Sequence, residues 1–255
     1  FIEKYLKKPR HIEIQVFGLG EKNALHFYER DCSIQRRFQK IIEESPAPQI
    51  EKSIIDEMAE SAVKFVTNQK YEGAGTIEFI YDIDNKKFYF LEMNTRIQVE
   101  HPVTEMITNS DLVSMQIQFA LNLDIESIEQ NKINKTGHAI ECRLYAEDPS
   151  KNFLPSPGKI SNLRLPEVNK DIRIDIGVGE GDEISFYYDP MIAKIICKGN
   201  NRNEAIKNMI SFLEKVEIEG IVTNKLFLIH VLKNKSFENA KYNTKFIENN
   251  LSTFT

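Results

Sequence analysis

The chain has 255 residues, of which 41% are apolar and 28% are charged, enough for one large domain or two modest ones with a buried core. Its formal net charge of -5 argues against a general nucleic-acid binder, which would carry a basic excess. Its apolar residues form no uninterrupted run near the roughly 20 that cross a bilayer, so we expect neither a nucleic-acid nor a membrane partner.

Hydrophobic periodicity divides the first half of the chain into hairpins and helices. The second hairpin is expected to turn about Asn85, between two runs rich in β-forming residues. In chain order, we predict strands at 11–18 and 24–29, a helix at 54–66, strands at 75–81 and 88–93, and a helix at 111–121.

The sequence pattern changes after Asn131, where short β-like segments alternate with Pro-rich and Gly-rich turns. This pattern predicts an α+β protein whose second half contains a small β-barrel or sandwich, with a boundary near residues 125–137. The domains would then be 1–130 and 131–255. The predicted elements are strands at 138–145, 159–165, 172–176, 183–188 and 191–198, a helix at 203–216, and a second helix from about 224.

Three cysteines, Cys32, Cys142 and Cys197, lie at wide spacings, and the five histidines are scattered. Neither pattern suits a disulfide framework or a zinc site, whose ligands recur at short spacings. A reducing compartment is expected, either a bacterial cytoplasm or, in a eukaryote, the mitochondrial matrix. Because the chain opens on Phe1 in an apparently structured segment, we expect a portion of a longer protein.

The most informative segment is Glu92-Met-Asn-Thr-Arg-Ile-Gln-Val-Glu100, in which polar and apolar residues alternate. In an extended chain the polar members share one face. Alternation alone supports a solvated edge strand as well as it supports a functional face. The residues of that face are Glu92, Asn94, Arg96, Gln98 and Glu100.

A turn about Asn85 would place Glu78 opposite Glu92. Two facing carboxylates destabilise a sheet unless a cation neutralises them. Mg²⁺ suits two carboxylates together with the amide of Asn94, because it prefers oxygen ligands and shares its shell with substrate phosphates. A bulge that shifts the register by one residue would separate the pair, so the metal site depends on the register.

Straight strand would hold Glu92 and Glu100 roughly 26 Å apart, too far for one ion. The face must therefore serve two neighbouring subsites or bend. Arg96 offers a planar fork for an anion, and Glu100 is a candidate base. A metal at one end and a small anion at the other is a layout suited to phosphoryl transfer.

Residues 92–106 as a whole resemble the signature of the biotin carboxylases, a family of ATP-grasp enzymes. Further segments match that family in order along nearly the whole chain, at 30–40, 73–78, 137–143, 153–158 and 187–191. The resemblance implies the second half of an ATP-grasp domain, an antiparallel sheet with helices, followed by the family's C-terminal α+β domain. It also implies that ATP and bicarbonate give carboxyphosphate, whose CO₂ is transferred to biotin on a carrier protein.

The resemblance also implies roles for individual residues. The ATP-binding set would be Glu3, Lys4, Leu6, His11, Gln35, Glu78 and Glu92, and the ligands of Mg²⁺ or Mn²⁺ would be Glu78, Glu92 and Asn94. Bicarbonate would be held by Lys40, Arg96, Gln98 and the Val99 backbone, and deprotonated by Glu100. Biotin would be bound by Arg96 and Arg143, whose charges would stabilise its enolate. The catalytic residues would be Arg96, Glu100 and Lys40.

One residue departs from the pattern of many bacterial relatives: Phe38 stands where a histidine is expected near the nucleotide. Phenylalanine donates no hydrogen bond, which puts that single contact in doubt.

The resemblance favours the acyl-CoA carboxylase type, with a biotin carboxyl carrier domain, a carboxyltransferase and a second copy of the chain as partners. By itself the chain is expected to be inactive, because the family's glycine-rich lid and phosphate-binding lysines would precede Phe1. Two alternatives stay open. One is another ATP-grasp carboxylate-amine ligase or a carbamoyl-phosphate synthetase-like module, and the other is a degenerate, non-catalytic subunit.

Overall fold

The computed structural model describes residues 2, 4–123, 125 and 128–254. Within these residues the chain is α+β, as predicted. The strands are β1 (Pro9–Leu19), β2 (Ala24–Arg36), β3 (Gln39–Ser45), β4 (Glu72–Asp82), β5 (Lys87–Asn94), β6 (His138–Tyr145), β7 (Glu147–Asp148), β8 (Leu154–Pro155), β9 (Gly158–Lys159), β10 (Asn162–Arg164), β11 (Ile172–Ile176), β12 (Glu183–Ile184), β13 (Met191–Gly199) and β14 (Glu217–Glu219).

The helices lie between these strands, from the end of β3 onward, and at the C-terminal end. They are α1 (Lys52–Asn68), α2 (His101–Thr108), α3 (Leu112–Ala120), α4 (Arg202–Lys215), α5 (Lys225–Lys233), α6 (Lys235–Glu238) and α7 (Phe246–Phe254). The four predicted helices correspond to α1, α3, α4 and α5. Helix α2 was not predicted, because it is short and begins directly after the conspicuous polar segment. Pro102 in its first turn and a left-handed Asn109 at its end fix its limits.

One antiparallel sheet carries most of the strands, in the order β11-β13-β6-β3-β2-β1-β4-β5. The pairing of β3 with β6 makes this sheet continuous across the boundary expected near residue 130. Strands expected in a separate barrel or sandwich thus extend the sheet, and the shorter ones form two-stranded pairs, β10 with β14, β9 with β12 and β7 with β8. The division into domains 1–130 and 131–255 stays a prediction.

Apolar and polar residues alternate along β1, and its apolar face is the one that helix α1 covers. Ile12, Ile14 and Val16 point to α1 and share a core with its buried residues. Glu13 and Gln15 point to the opposite face, yet both are fully buried. Charged side chains buried on a sheet face need partners, so this face is a candidate functional surface.

The second half repeats the arrangement on β6. Ile140, Cys142 and Leu144 join a core that includes α4 and α5. Glu141 and Arg143 alternate with them and therefore lie on the other face, together with Glu13. That face is partly covered by α2, whose Val103 and Ile107 pack with Ala139 and Ile196. Within the described residues, none of the helices is both long and apolar enough to cross a membrane.

Candidate active site

A cavity of about 970 Å³ opens on the polar face of the sheet. It is lined by residues 4–6, β1, the β2–β3 hairpin, β4, β5, the segment that follows β5, one residue of β6 and two residues just before α7. Every predicted site residue that the structure describes lines it: Lys4, Leu6, His11, Gln35, Lys40, Glu78, Glu92, Asn94, Arg96, Gln98, Val99, Glu100 and Arg143. Glu3 lies outside the described residues.

A β-bulge sets the register of the β4–β5 hairpin. Near the turn the pairs are one residue off the predicted register, with Phe79 opposite Phe90. The bulge at Leu91 restores it, and Glu78 faces Glu92 as predicted. The predicted pairing of Glu78 with Glu92 is thus confirmed. A bulge was expected to separate the two carboxylates, but here it corrects the one-residue offset near the turn and brings them opposite each other.

A row of acidic side chains crosses β1, β4 and β5 at the position of Glu78. Glu13 on β1 pairs with Glu78 on β4, and Glu78 pairs with Glu92 on β5. Glu13 and Glu78 are buried, whereas Glu92 is exposed to the cavity. Sequence reasoning missed Glu13, although a charged residue between Ile12 and Ile14 in an alternating strand was an available signal.

Lys40 forms ion pairs with two members of this row and with Glu100. Its Nζ donates to Glu13 Oε2 (2.7 Å), Glu78 Oε1 (3.0 Å) and Glu100 Oε1 (2.6 Å). Burial favours the neutral form of Glu13, but Lys40 and Arg30 outweigh it and lower the pKa of Glu13 to about 2. Burial likewise opposes ionisation of Glu78, yet contacts with His11 and Lys40 lower its pKa to about 2. Both carboxylates are therefore charged at neutral pH.

The three predicted metal ligands meet at the open end of the row. Asn94 Nδ2 lies 3.1 Å from Glu78 Oε1 and 3.2 Å from Glu92 Oε1. Turning the amide over replaces this nitrogen with Oδ1 and gives an all-oxygen donor set. Two carboxylates and an amide oxygen that face a cavity fit Mg²⁺ or Mn²⁺.

The polar segment does not continue as a strand beyond Asn94. The chain bends there, and Gln98 Nε2 donates to Glu78 Oε1 over 2.8 Å. Glu100 consequently reaches Lys40, which also contacts Glu78. The sequence left open whether the polar face serves two subsites or bends, and the structure shows the bend. Both ends of the polar face line a single cavity.

Arg30 holds the bend in place. This fully buried guanidinium donates five hydrogen bonds, to Glu13, Gln15, Thr76, Gln98 and Thr104. Its bond to Gln98 Oε1 (3.0 Å) fixes the orientation of that amide. Residues 30–35 are buried, because β2 continues to Arg36 and places Arg30 beneath the site. No pattern in the sequence distinguished Arg30 from Arg37, which is exposed.

Glu100 connects the two halves of the chain. Its Oε1 accepts from Lys40, and its Oε2 lies 3.0 Å from Arg143 Nη2 on β6. Arg143 also donates from Nε to Glu43 Oε1 over 2.6 Å. Arg96 is exposed at the cavity, and its Nη1 donates to the carbonyl of Ile97 (3.1 Å). The cavity therefore has one fixed guanidinium and one that is open to solvent.

Lys194 of β13 is a further residue that sequence reasoning missed. Its Nζ lies 2.9 Å from the Val99 carbonyl and 3.0 Å from Asp175 Oδ2. These contacts orient the Val99 peptide, whose backbone was predicted to hold bicarbonate. Only the pairing of β13 with β6 brings Lys194 near this segment, and that pairing is not visible in the sequence.

The other end of the cavity is more apolar. Lys4 donates to the Tyr89 hydroxyl (2.6 Å), and Phe90 and Leu91 of β5 present exposed side chains. Gln35 Nε2 donates to the Cys32 carbonyl (3.1 Å), whereas His11 Nε2 lies 2.8 Å from Glu78 Oε2, at the acidic end. An apolar end beside an acidic end suits a molecule with a flat ring and a phosphate chain.

Phe38 caps the β2–β3 hairpin at the mouth of the cavity. It and Arg37 both adopt left-handed backbone conformations, with φ of 67° and 49°, as a tight two-residue turn requires. The Phe38 side chain is 94% exposed. It therefore presents an apolar ring, without a hydrogen-bond donor, to whatever occupies the cavity.

Comparisons with known proteins agree with this geometry. The family model of the carbamoyl-phosphate synthase L chain ATP-binding domain matches residues 1–128, and that of the biotin carboxylase C-terminal domain matches residues 141–249. Biotin carboxylase 1 of Bacillus subtilis is 48% identical over 97% of this chain and 55% of its own length. The mitochondrial methylcrotonoyl-CoA carboxylase subunit alpha of Arabidopsis thaliana is 46% identical over 98% of this chain and 34% of its own length.

A solved structure resembles the fold closely. The biotin carboxylase domain of Hydrogenobacter thermophilus 2-oxoglutarate carboxylase, in complex with MgADP, ADP and bicarbonate, has a TM-score of 0.94 and 42% identity. The match covers 99% of this chain and 55% of that one. The chain thus spans about half the length of Biotin carboxylase 1. Since consecutive family models cover both halves of a continuous sheet, the chain belongs to the biotin carboxylase family.

Proposed function

We propose that the chain takes part in the ATP- and bicarbonate-dependent carboxylation of biotin on a carrier protein. The observation that carries this proposal is the position of Glu100, whose two carboxylate oxygens contact Lys40 and Arg143. A base beside an acidic, metal-binding end and a cationic end is the arrangement that such a reaction needs. The substrates would be ATP and bicarbonate, and the cofactors Mg²⁺ or Mn²⁺ and biotin.

Glu78, Glu92 and Asn94 would hold the metal, which would neutralise the charge of the nucleotide phosphates when bound. Lys4, Leu6, His11 and Gln35, with Glu3, would complete the nucleotide site. The MgADP found in the Hydrogenobacter relative supports this assignment. The exposed rings beside Lys4 offer the apolar surface that an adenine would cover.

Bicarbonate would lie where Lys40, Arg96, Gln98 and the Val99 backbone converge. Arg96 suits this role because its planar fork matches an anion with two oxygens and is open to the cavity. Glu100 would accept the bicarbonate proton as the oxygen attacks the terminal phosphate of ATP. Charged donors held ready around the anion would lower the cost of forming carboxyphosphate.

Biotin would bind at the cationic end, against Arg96 and Arg143. Arg143 is the one of these two that the second half contributes, and its contacts with Glu43 and Glu100 fix its position. The partners would be a biotin carboxyl carrier domain, a carboxyltransferase and a second copy of the chain. We also propose a reducing location, a bacterial cytoplasm or a mitochondrial matrix, which suits three buried free cysteines.

A second candidate is a carboxylate-amine ligase of the carbamoyl-phosphate synthetase kind, since the family model of residues 1–128 is named for such an enzyme. The acidic metal end would serve either reaction. Arg143 on β6 favours biotin, because it lies in the half that matches the biotin carboxylase C-terminal domain. A degenerate subunit is less well supported, since Lys40, Glu100 and Arg143 all remain in contact.

The test is ADP release by the full-length protein with bicarbonate, with and without free biotin. Biotin-stimulated release is the expected result. Release stimulated by ammonia or glutamine instead would favour the carbamoyl-phosphate type, and no release under either condition would favour a non-catalytic subunit. A chimera in which these 255 residues replace the matching part of Biotin carboxylase 1 of Bacillus subtilis would give the same readout on an active background.

A further inference from the structure

Two glutamates oppose each other behind Arg143. Glu43 on β3 and Glu141 on β6 are direct cross-strand partners at the junction of the two halves of the sheet. Both side chains are fully buried. Directly opposed residues point to the same face and lie within reach of one another. This pair lies outside the roles assigned to the site above.

The hydrogen bonds of the pair are incomplete. Glu43 Oε1 accepts from Arg143, but Glu43 Oε2 and both oxygens of Glu141 have no hydrogen-bond partner among the residues that the structure describes. Two ionised carboxylates facing each other in a buried site would repel strongly. A proton shared by the pair removes the repulsion and turns one carboxyl into a donor for the other.

The surroundings decide which glutamate keeps the proton. Arg143 is a direct ion-pair partner of Glu43, whereas Glu141 has no such partner within the described part of the chain. The cross-strand neighbour of Glu141 on β13 is Ile196, which packs with Ala139 and two apolar residues of α2. Glu141 therefore lies beside an apolar cluster, which favours its neutral form.

The other charged groups near the pair, among the residues that the structure describes, are Lys40 on β3, Lys194 on β13 and Glu100 at the start of α2, and each of them already has a partner. Cys32 on β2 is also near, but burial raises the pKa of its thiol well above the usual value, so it is neutral. On α2 itself, His101 and Glu105 face each other, and Glu105 also binds Arg173. Burial raises the pKa of Glu141 well above its usual value, with Glu43 adding to the rise. Burial also raises the pKa of Glu43, but Arg143 opposes it and leaves a value of about 7.

We propose that Glu43 and Glu141 form a one-proton carboxyl pair that positions Arg143 toward the biotin end of the cavity. Glu141 keeps the proton and donates it in a hydrogen bond to Glu43 Oε2, while Glu43 remains charged and holds Arg143. Both are positioning residues, since neither lines the cavity. The part of this proposal that concerns biotin rests on the proposed function, but the protonation of Glu141 does not.

The charge balance of the site explains why one proton is needed. Arg143 is shared between Glu43 and Glu100. A second charge on Glu141 would draw Arg143 deeper into the sheet and away from Glu100. Conversely, as pH falls through about 7, Glu43 also becomes protonated and Arg143 loses one of its two carboxylate partners. The titration belongs to the pair as a whole.

Infrared difference spectroscopy of the full-length protein tests the proton directly. At pH 8 the wild-type protein should show a protonated carboxyl C=O band that disappears in Glu141→Gln and remains in Glu60→Gln, an exposed control on α1. A wild-type spectrum without such a band, or a band that survives in Glu141→Gln, would overturn the proposal. This measurement needs no catalysis, so it stands even if the proposed function fails.

Kinetics of the same variants test the positioning role. Glu141→Gln keeps a neutral donor and should leave biotin-dependent kcat/KM within about twofold, whereas Glu43→Gln removes a charge-assisted bond and should lower it by about 10- to 100-fold. Glu43→Asp should recover part of this loss, and Glu43→Gln should also lack the acid limb near pH 7. Equal losses in Glu141→Gln and Glu43→Gln would contradict the assignment. If even the wild-type protein shows no biotin-dependent rate, the proposed function is what fails, and the infrared result still decides the protonation.

Discussion

Glu100 and Lys40 lie 60 residues apart in sequence, yet Glu100 Oε1 is 2.6 Å from Lys40 Nζ. The contact depends on two features, the bend after Asn94 and the antiparallel turn that places Lys40 at the start of β3. It couples the acidic row to the segment that was predicted to bind bicarbonate. A substitution at Glu100 should act mainly on the anion step, because Glu100 is not one of the predicted metal ligands.

We predict that Glu100→Gln in the full-length protein lowers bicarbonate-dependent ADP release by about 10²- to 10⁴-fold, the usual cost of removing a general base. Nucleotide affinity should change little, because the predicted metal ligands do not include Glu100. Steady-state ADP release checks the expected loss of rate, and equilibrium nucleotide binding checks the expected unchanged affinity. Glu60→Gln on α1 serves as the matched surface control. Wild-type turnover in Glu100→Gln would exclude the base role.

A second prediction concerns the metal end. Glu92→Gln should weaken the binding of the Mg²⁺–nucleotide complex by at least about tenfold, since it removes one charged ligand. Because Glu92 is exposed, its substitution should leave the unfolding temperature nearly unchanged. Calorimetric titration with and without Mg²⁺ separates the metal contribution from that of the nucleotide. Asp84→Asn, in the turn of the same hairpin, is the control, and equal affinities in both variants would refute the metal assignment.

Arg143 should matter more for biotin than for ATP. Arg143→Ala is expected to lower biotin carboxylation more strongly than the bicarbonate-dependent ATP hydrolysis that occurs without biotin. Arg143→Lys keeps the charge but not the fork, and should recover only part of the activity. Parallel assays with and without free biotin check this, with Arg164→Ala, at an exposed position of β10, as the control. Equal loss of both activities would contradict the division of roles.

The cross-strand pairing of Glu78 with Glu92 could be predicted from the sequence alone. A local hairpin has few possible registers, and two β-forming runs around one turn sufficed to identify the pair. A bulge was considered, but its position at Leu91 was not predicted, because one extra residue leaves the composition of the strand unchanged. Local geometry was therefore predictable to about one residue.

Contacts between distant segments were not predictable from periodicity. The pairing of β3 with β6 buries Glu43 and Glu141, yet Ile41-Ile42-Glu43-Glu44 does not alternate between apolar and polar residues, and no strand was predicted there. Arg30 gave no signal for the same reason, since its partners come from β1, β4, α2 and the bend. Resemblance supplied the residues that line the cavity, but not the buried residues that hold them in place.

The last prediction concerns stability and the face of the sheet opposite the cavity. There Glu44 binds Arg202 of α4, with Nε at 2.6 Å and Nη2 at 3.0 Å, and His138 Nε2 at 2.7 Å. Tyr242 donates a further short hydrogen bond to it. These contacts join β3, β6, α4 and the C-terminal segment, so Glu44 connects the two halves of the protein.

Burial opposes ionisation of Glu44, but Arg202 and His138 outweigh it and hold the pKa of Glu44 well below its ordinary value of 4.5. A depressed pKa means that the folded state binds this proton less readily than the unfolded state does. The resulting stability is present above about pH 4.5 and is lost as pH falls below it.

Glu44→Gln should therefore lower the free energy of unfolding at pH 7 by about 3–5 kcal/mol, because it leaves the Arg202 charge buried without its partner. Below pH 4.5 the difference between variant and wild type should shrink, since the wild-type carboxylate is itself being protonated. Urea denaturation at pH 7 and at several acidic pH values measures both effects, with exposed Glu60→Gln as the control. A constant difference across that range would show that Glu44 stabilises the fold by packing alone, without the charge of its carboxylate.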